Sequence, residues 1–311
     1  MLIQKQSAHI KTDFNALLKK QKYSLAGTHS AVKTCLWLNR SIKNNGSCYK
    51  SIYGIESHRC MQMTPSLLCN QRCVHCWRPI EVNVEPPIEW DSPATIKQEC
   101  IKSQRKLISG FGGSAPRTRW MLANEPKHVA ISLSGEPTTY PYLHELIDEF
   151  GKDDITTFVV SNGTNPNMIK KINPSQLYLS LDAFDKEMYN KLCRPKLPNL
   201  WEKINKSFEI MGQKEIKTAI RITVIKGINM CNPKEYAELI KIANPSVIEV
   251  KAYMHLGFSR YRLVRESMPQ YSEVLEFAKE IAKYTGYVFA DGVEQSRVVF
   301  LSKDGKIQKV V

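Results

Sequence analysis

From about residue 61 onward, short apolar runs alternate with amphipathic stretches. The runs at 61–67, 128–134, 155–161, 176–182, 218–225 and 246–252 are β-branched and nearly continuous in apolar character, as buried parallel strands are. Helical patterns cover 93–109, 141–150, 166–172, 186–192, 199–213, 233–242 and 271–285. Pro93 stands at a first helical position behind a cap of Asp91 or Ser92, and Gly151 and Gly286 stand where helices end. Six βα units in series predict an α/β fold with a parallel sheet and right-handed crossovers. The tail, 287–311, reads as short strands with a turn at Asp304-Gly305, and 110–119 as a surface loop. Residues 1–60 are weakly periodic and predict one or two helices, near 12–22 and 29–43. The expected organisation is an N-terminal extension over 1–60, a βα unit over 61–290 and a C-terminal strand or hairpin extension over 291–311.

In barrel-type α/β folds function gathers at the C-terminal ends of the strands, and the polar motifs of this chain fall there. A cysteine loop follows the first strand, Ser134-Gly135-Glu136-Pro137 the second and Ser161-Asn162-Gly163-Thr164 the third. Ser180 to Asp182 close the fourth; Thr223 and Lys226 lie near the end of the fifth, and Glu249 and Lys251 near the end of the sixth.

The cysteine loop is the most informative of these. Cys69, Cys73 and Cys76 have C-x3-C-x2-C spacing, with Trp77 next. Three thiolates on one tight loop hold three irons of a 4Fe–4S cube and leave the fourth open, because no fourth cysteine lies nearby in sequence. An open iron chelates the amino and carboxylate groups of S-adenosylmethionine, and reduction of the sulfonium then gives an adenosyl radical. A structural zinc site completed by His75 or Cys60 is the rival reading. Gly135 lets backbone approach a ligand closely, and Ser134, Glu136, Asn162, Ser180, Asp182 and Trp77 are candidates for holding such a cofactor. Simple turns and strand ends that satisfy their own backbones are the alternative for these positions.

Cys35, Cys48 and Cys60 all precede the loop and are enough for a second cluster with one open iron, though three unrelated buried thiols would look the same. Cys100, Cys193 and Cys231 read as core filler. Lys50, two residues after Cys48, is an exposed lysine or, beside a cluster, an amine of lowered pKa that forms a Schiff base with a carbonyl substrate. Glu249 and Lys251 sit in an apolar strand, where charges are rare unless they face a site or each other.

The 311 residues carry a net charge of +14, a balance that suits a polyanion such as a nucleic acid. Residues 1–60 hold ten Lys or Arg against Asp13 and Glu56. The stretch from His255 to Arg265 interleaves Arg260, Arg262 and Arg265 with aromatic rings, a pattern for phosphates and unpaired bases. Arg117, Arg119 and Trp120 add to that expected face. No run of eighteen apolar residues and no signal-peptide pattern occur, so a cytoplasmic protein with no membrane segment is expected. Nine cysteines there read as metal ligands rather than disulfides.

Together these motifs resemble the tRNA 4-demethylwyosine synthases of the wybutosine pathway, in their archaeal stand-alone form. The matching strings are Thr64-Pro-Ser-Leu-Leu-Cys69 through Cys76-Trp77-Arg78-Pro79, Ser132-Leu-Ser-Gly-Glu-Pro137, Val160-Ser-Asn-Gly163, Leu179-Ser-Leu-Asp-Ala183, Cys193-Arg-Pro195, Ile248-Glu-Val-Lys251 and His58-Arg-Cys60. The resemblance spans about residues 30 to 290. It implies a partial (β/α)6 TIM-like radical SAM barrel with two 4Fe–4S clusters, on Cys69, Cys73 and Cys76 and on Cys35, Cys48 and Cys60. It also implies condensation of N1-methylguanosine-37 in the anticodon loop of phenylalanine tRNA with pyruvate. Lys50 matches the family's proposed Schiff-base lysine and Lys251 a second lysine near the site. Eukaryotic relatives carry a flavodoxin-like domain that this chain lacks, so a separate electron donor protein and a monomeric enzyme are expected. A peptide maturase with an auxiliary cluster and a non-catalytic zinc RNA-binding protein remain as rivals at this level.

Overall fold

The computed structural model describes residues 14–311. Six parallel strands form its centre, in sequence order: β3 (Cys60–Thr64), β4 (His128–Ile131), β5 (Thr156–Ser161), β6 (Gln176–Ser180), β7 (Lys217–Val224) and β8 (Val247–Ala252). Antiparallel pairs extend both edges: β1 (Ser24–Ala26) and β2 (Ser30–Val32) beside β3, and β9 (Val288–Val293) and β10 (Val298–Ser302) beside β8. The strand expectations hold to within a few residues. So do the helices α3 (Pro93–Ile108), α5 (Leu143–Gly151), α6 (Pro166–Lys171), α7 (Lys186–Cys193), α8 (Leu200–Gly212), α9 (Pro233–Ala243) and α10 (Tyr271–Thr285). Local chemistry sets their ends. Ser92 Oγ accepts from Thr95 N ahead of α3, Gln270 and Glu273 form a reciprocal capping box on α10, and Gly286 closes α10 at φ +75°.

Four sequence expectations change. The helix expected over 29–43 is strand β2 followed by a shorter helix α2 (Leu36–Ile42), because Ser30-Ala-Val32 is buried as an edge partner of β3. The helix expected over 12–22 is seen as α1 (Phe14–Lys20), and residues 12 and 13 lie outside the described residues. Residues 110–119 are not all loop: α4 (Arg117–Ala123) begins there, closed down by Ala123 in a small apolar cluster with Leu38, Ile42 and Ile108. The β9–β10 hairpin turns at Glu294–Arg297, with Arg297 at φ +46°, whereas Asp304-Gly305 bends the tail back so that Val310 N reaches Tyr53 O (2.8 Å).

Period-two alternation splits each central strand between two faces. Val159, Leu177, Leu179, Ile220, Ile222, Ile248 and Val250 pack outward under the helices. Phe158, Tyr178, Ala219, Val247, Val298 and Phe300 point inward, where a 3-10 turn, Tyr49–Tyr53, plugs the half-barrel. The Phe300 ring is fully buried, 6.0 Å from that of Tyr53 and 6.1 Å from that of Tyr49. Truncating Phe300 to Ala should therefore cost about 3–5 kcal/mol, read as a lower denaturation midpoint of the metal-free protein. It should also speed amide exchange within 49–53; unchanged exchange there would mean the plug is held by other contacts.

Candidate active site

The loop after β3 presents Cys69, Cys73 and Cys76, all half-buried. Backbone bonds pin it to the end of α7: Arg72 N donates to Cys193 O (3.0 Å), Val74 N to Leu192 O (2.9 Å) and Lys196 N to Asn70 O (2.9 Å). From the turn after β4, Glu136 N donates to Leu68 O (2.6 Å). Gly135 makes this approach possible at φ +76°; a Cβ there would run into the Ser66 and Leu68 carbonyl oxygens. Asp182, just past β6, faces His75 at 3.4 Å. Burial disfavours a charged imidazole, but Asp182 and the flanking thiols outweigh it and raise the His75 pKa to about 9.

Electrostatics differ among the three thiols. Burial pushes Cys69 up to about 11 against the pull of Arg78. At Cys76 burial is outweighed by Arg78, whose Nε donates to Sγ at 3.4 Å, and the thiol falls below its usual range. Cys73 is raised, first by a hydrogen bond with the Cys193 thiol and then by burial. Cys193 packs in the hydrophobic core as expected, and there it also stands beside the loop as a fourth, buried cysteine, brought by the end of α7. Among the described residues no three Cys, His, Asp or Glu side chains converge as ligands of one ion. A cubane binds each thiolate to a different iron, so a spread triad flanked by Arg78 and His75 suits it chemically.

Two pockets flank the loop. One of about 270 Å³ brings the expected residues Asn162, Ser180 and Asp182 together with Gln71 and Trp201. The other, of about 470 Å³, is lined by Ser134, Cys69, Arg72, Arg78 and Lys196. Glu136 lies beneath, and its carboxylate accepts from Ser161 Oγ (2.7 Å), Thr138 Oγ1 (2.7 Å) and Asn162 N (2.7 Å), tying the end of β4 to that of β5. Trp77 stacks on Tyr23 (centroids 6.0 Å), and the Lys33 amine sits 4.8 Å from each ring.

The upstream thiols come from three separate elements. Cys35 caps α2, accepting from Leu38 N at 3.3 Å; Cys48 precedes the plug; Cys60 opens β3. They share one space: Cys60 is raised by burial and then by Cys35 and Cys48, while Lys50 opposes. Lys50 is buried, with Nζ 4.4 Å from the Tyr178 ring centroid and 5.0 Å from that of Phe158. Burial and then the neighbouring Arg221 lower its pKa to about 8. Lys251 donates to Ser296 O (3.0 Å), lies 4.6 Å from the Tyr49 centroid, and falls to about 8 for the same reasons.

Arg221, Tyr49, Tyr53 and Tyr178 complete this chamber and were not singled out from sequence. Arg221 donates to Glu249 Oε2 (Nη2 2.8 Å, Nε 3.0 Å) and to Tyr49 Oη (3.0 Å), and Tyr53 Oη donates to Glu249 Oε1 (2.8 Å). The signal was present: Arg221 is a charge inside an apolar strand, like Glu249, and the two are register partners in β7 and β8.

The basic stretch is divided. Arg260, Tyr261 and Arg265 are exposed. Arg262 is not a surface group: it is 3 % exposed and bonded to the cysteine loop, so its expected place on a tRNA face is corrected. Arg119 and Trp120 are also engaged inside, with Ser41 O (2.9 Å) and Ile108 O (3.0 Å).

This sheet, with its three-cysteine loop at the strand ends, defines a radical S-adenosylmethionine enzyme. The Radical SAM superfamily model matches residues 63–240, more than half the chain, and the model for wyosine base formation matches 242–303. The tRNA 4-demethylwyosine synthase of Pyrococcus abyssi is 46 % identical over 300 residues, covering 93 % of this chain and 88 % of its own. That of Methanocaldococcus jannaschii is 42 % identical over 303 residues, covering 93 % and 96 %. A solved structure of TYW1 with a lysine-pyruvate adduct bound superposes with TM-score 0.88 at 40 % identity, over 97 % of this chain and 99 % of that one. The chain belongs to the tRNA 4-demethylwyosine synthase family. Membership implies S-adenosylmethionine and a 4Fe–4S cluster, and it removes the peptide-maturase and zinc-protein readings. No helix among the described residues is long and apolar enough to cross a membrane.

Removing the Arg221 guanidinium by Arg221→Ala leaves Glu249, which is fully buried, without its cation. The expected loss is about 3–5 kcal/mol, whereas Arg221→Met with Glu249→Leu should recover much of it. Denaturant midpoints of the metal-free variants decide this; equal losses in both would show that the pair is not coupled.

Proposed function

We propose that this enzyme condenses N1-methylguanosine at position 37 of phenylalanine tRNA with the keto and methyl carbons of pyruvate, the bond to the pyruvate carboxylate breaking so that this carbon leaves as a one-carbon fragment, and closes the third ring of 4-demethylwyosine as the guanine amine attacks the former keto carbon. The observation that carries the reading is Lys50, a buried amine of lowered pKa inside the half-barrel, sharing its space with Cys35, Cys48 and Cys60. The likeness to a TYW1 structure holding a lysine-pyruvate adduct supports Lys50 as the lysine that condenses with the keto acid.

When bound, a 4Fe–4S cluster on Cys69, Cys73 and Cys76 with S-adenosylmethionine supplies the radical chemistry that takes hydrogen from the N1-methyl group, and a second one on Cys35, Cys48 and Cys60 supplies a Lewis-acidic iron for pyruvate. The chain's own groups do the rest. Ser134 lines one pocket and Asn162, Ser180 and Asp182 the other, and these take the methionyl and nucleoside parts of the cofactor; Gly135 and Glu136 hold the pocket wall from beneath, and Trp77 packs behind the loop on Tyr23. Lys50, with its proton lost more readily than from a solvated lysine, attacks the pyruvate carbonyl carbon, and the carbonyl oxygen leaves as water to give the imine. Lys251 faces the same space as a cation for the carboxylate. Arg260 and Arg265, with Tyr261 between, hold the anticodon loop, and the target base leaves its stack to reach the chamber. In this reading 1–60 carries the second ligand set, 61–290 the radical barrel and 291–311 closing strands. A separate protein donates electrons to a monomeric, cytoplasmic enzyme.

Anaerobic incubation with methylated tRNA, S-adenosylmethionine, reductant and carbon-labelled pyruvate should put two labelled carbons into a tricyclic nucleoside; an unlabelled nucleoside would refute the proposal. Reconstituted protein should hold about eight irons, and changing Cys69, Cys73 and Cys76 together to Ala should leave about half. Full iron retention in that variant would rule out two separate sites. Lys50→Arg keeps charge without imine chemistry. It should still cleave S-adenosylmethionine while losing most ring formation; full product would leave Lys50 as no more than a charge. Replacing Arg260 and Arg265 by Gln should lower tRNA affinity and reduce the salt slope by about two phosphate contacts. An unchanged slope would move the docking face elsewhere.

A further inference from the structure

We infer that Arg262 is a positioning residue for the radical centre: from the wyosine-specific segment it fixes the backbone of the cysteine loop. Its guanidinium donates to Val74 O (3.1 Å), Cys76 O, Arg78 O (3.1 Å) and Glu81 Oε1 (2.9 Å). The three carbonyls alternate along the chain and straddle a cluster-ligand cysteine. Only a planar fork with five N–H groups meets such a set; an ammonium, a point charge, does not. A second contact is independent of that side chain. Phe258 N donates to Trp77 O at 2.9 Å, and Gly257, at φ +55°, lies where a Cβ would run into the same carbonyl. The carbonyls of 74, 76, 77 and 78 are thus all tied to residues 257–262.

The chemical consequence follows from the peptide's two sides. A backbone whose carbonyls are bound on its outer side is limited in where its N–H groups turn, and N–H groups near thiolates set the potential of an iron–sulfur cluster. The same short segment shows Arg260, Tyr261 and Arg265 to solvent. One piece of chain therefore carries both an outward basic face and the inward clamp. The inference rests on the family's radical centre and is independent of the assignment of Lys50.

Arg262→Gln and Arg262→Lys test it, in the metal-free and the reconstituted protein. Amide exchange over 74–81 in the metal-free Gln variant should rise about tenfold or more, while exchange in β5 to β8 is unchanged. After reconstitution, cleavage of S-adenosylmethionine without tRNA or pyruvate should fall about 10–100-fold. The electron paramagnetic resonance signal of the reduced cluster should also lose its shift on adding S-adenosylmethionine. Lys should rescue little of this, and tRNA affinity should stay within about twofold of the parent, because the group is buried. If Arg262→Gln does not fold, Arg262→Met with Glu81→Gln, which removes both charges of that ion pair, gives the same readouts. Parental exchange and cleavage would overturn the inference, as would lost tRNA affinity with cleavage intact. A parent enzyme that cleaves S-adenosylmethionine but forms no tricycle would refute the proposed function and leave the Arg262 inference standing.

Discussion

A sheet of six parallel strands that closes only part-way has an inner face its own βα repeat cannot cover. Helices take the outer face, so the alternate positions, Tyr178, Arg221, Glu249 and Lys251 among them, must find partners inside the half-barrel. The chain meets this constraint with the Tyr49–Tyr53 plug, the β9–β10 hairpin and the returning tail at Val310. Buried charge is stable only when matched, and here Glu249 takes Arg221 and Tyr53 while Arg221 takes Tyr49 as well. Lys50 enters this already balanced set on the plug. Burial first, and then the Arg221 guanidinium, outweigh the pull of Glu249 and the nearby thiols, so its amine gives up its proton at lower pH than a solvated lysine.

Strand β3 joins the two groups of thiols. Cys60 opens it, and the loop of Cys69, Cys73 and Cys76 follows its end. From its first residue to its fifth it rises roughly 13 Å, four steps of ~3.3 Å. The Lys50 chamber, bounded by residues in the middle of β6, β7 and β8, adjoins the Cys60 end, whereas the flanking pockets lie at the loop. A substrate that reacts with both must reach along the half-barrel, which favours an extruded base over one kept in its stack.

Much of this was legible from sequence because each unit states its own period. Six apolar runs with helices between gave the strands to within a few residues, and the C-x3-C-x2-C loop named its own chemistry. What escaped depended on contacts remote in sequence. Ser30 to Val32 look helical until β3 supplies an edge. Cys193 looks inert until α7 delivers it to Cys73 of the three-cysteine loop. Arg262 looks like its exposed neighbours Arg260 and Arg265, because alternation within a 3-10 segment does not reveal which side meets the cysteine loop. Arg221 was within reach: the reasoning applied to Glu249 and Lys251, that charge in a buried strand faces a site, applies to it equally.

The central claim is that the barrel's inner face makes Lys50 the amine that meets the keto acid. Borohydride reduction of the anaerobic holoenzyme with pyruvate, followed by peptide mass mapping, tests it most directly. The account predicts a single stable adduct on Lys50, abolished in Lys50→Arg. An adduct on Lys251 instead, or none on any lysine, would contradict it.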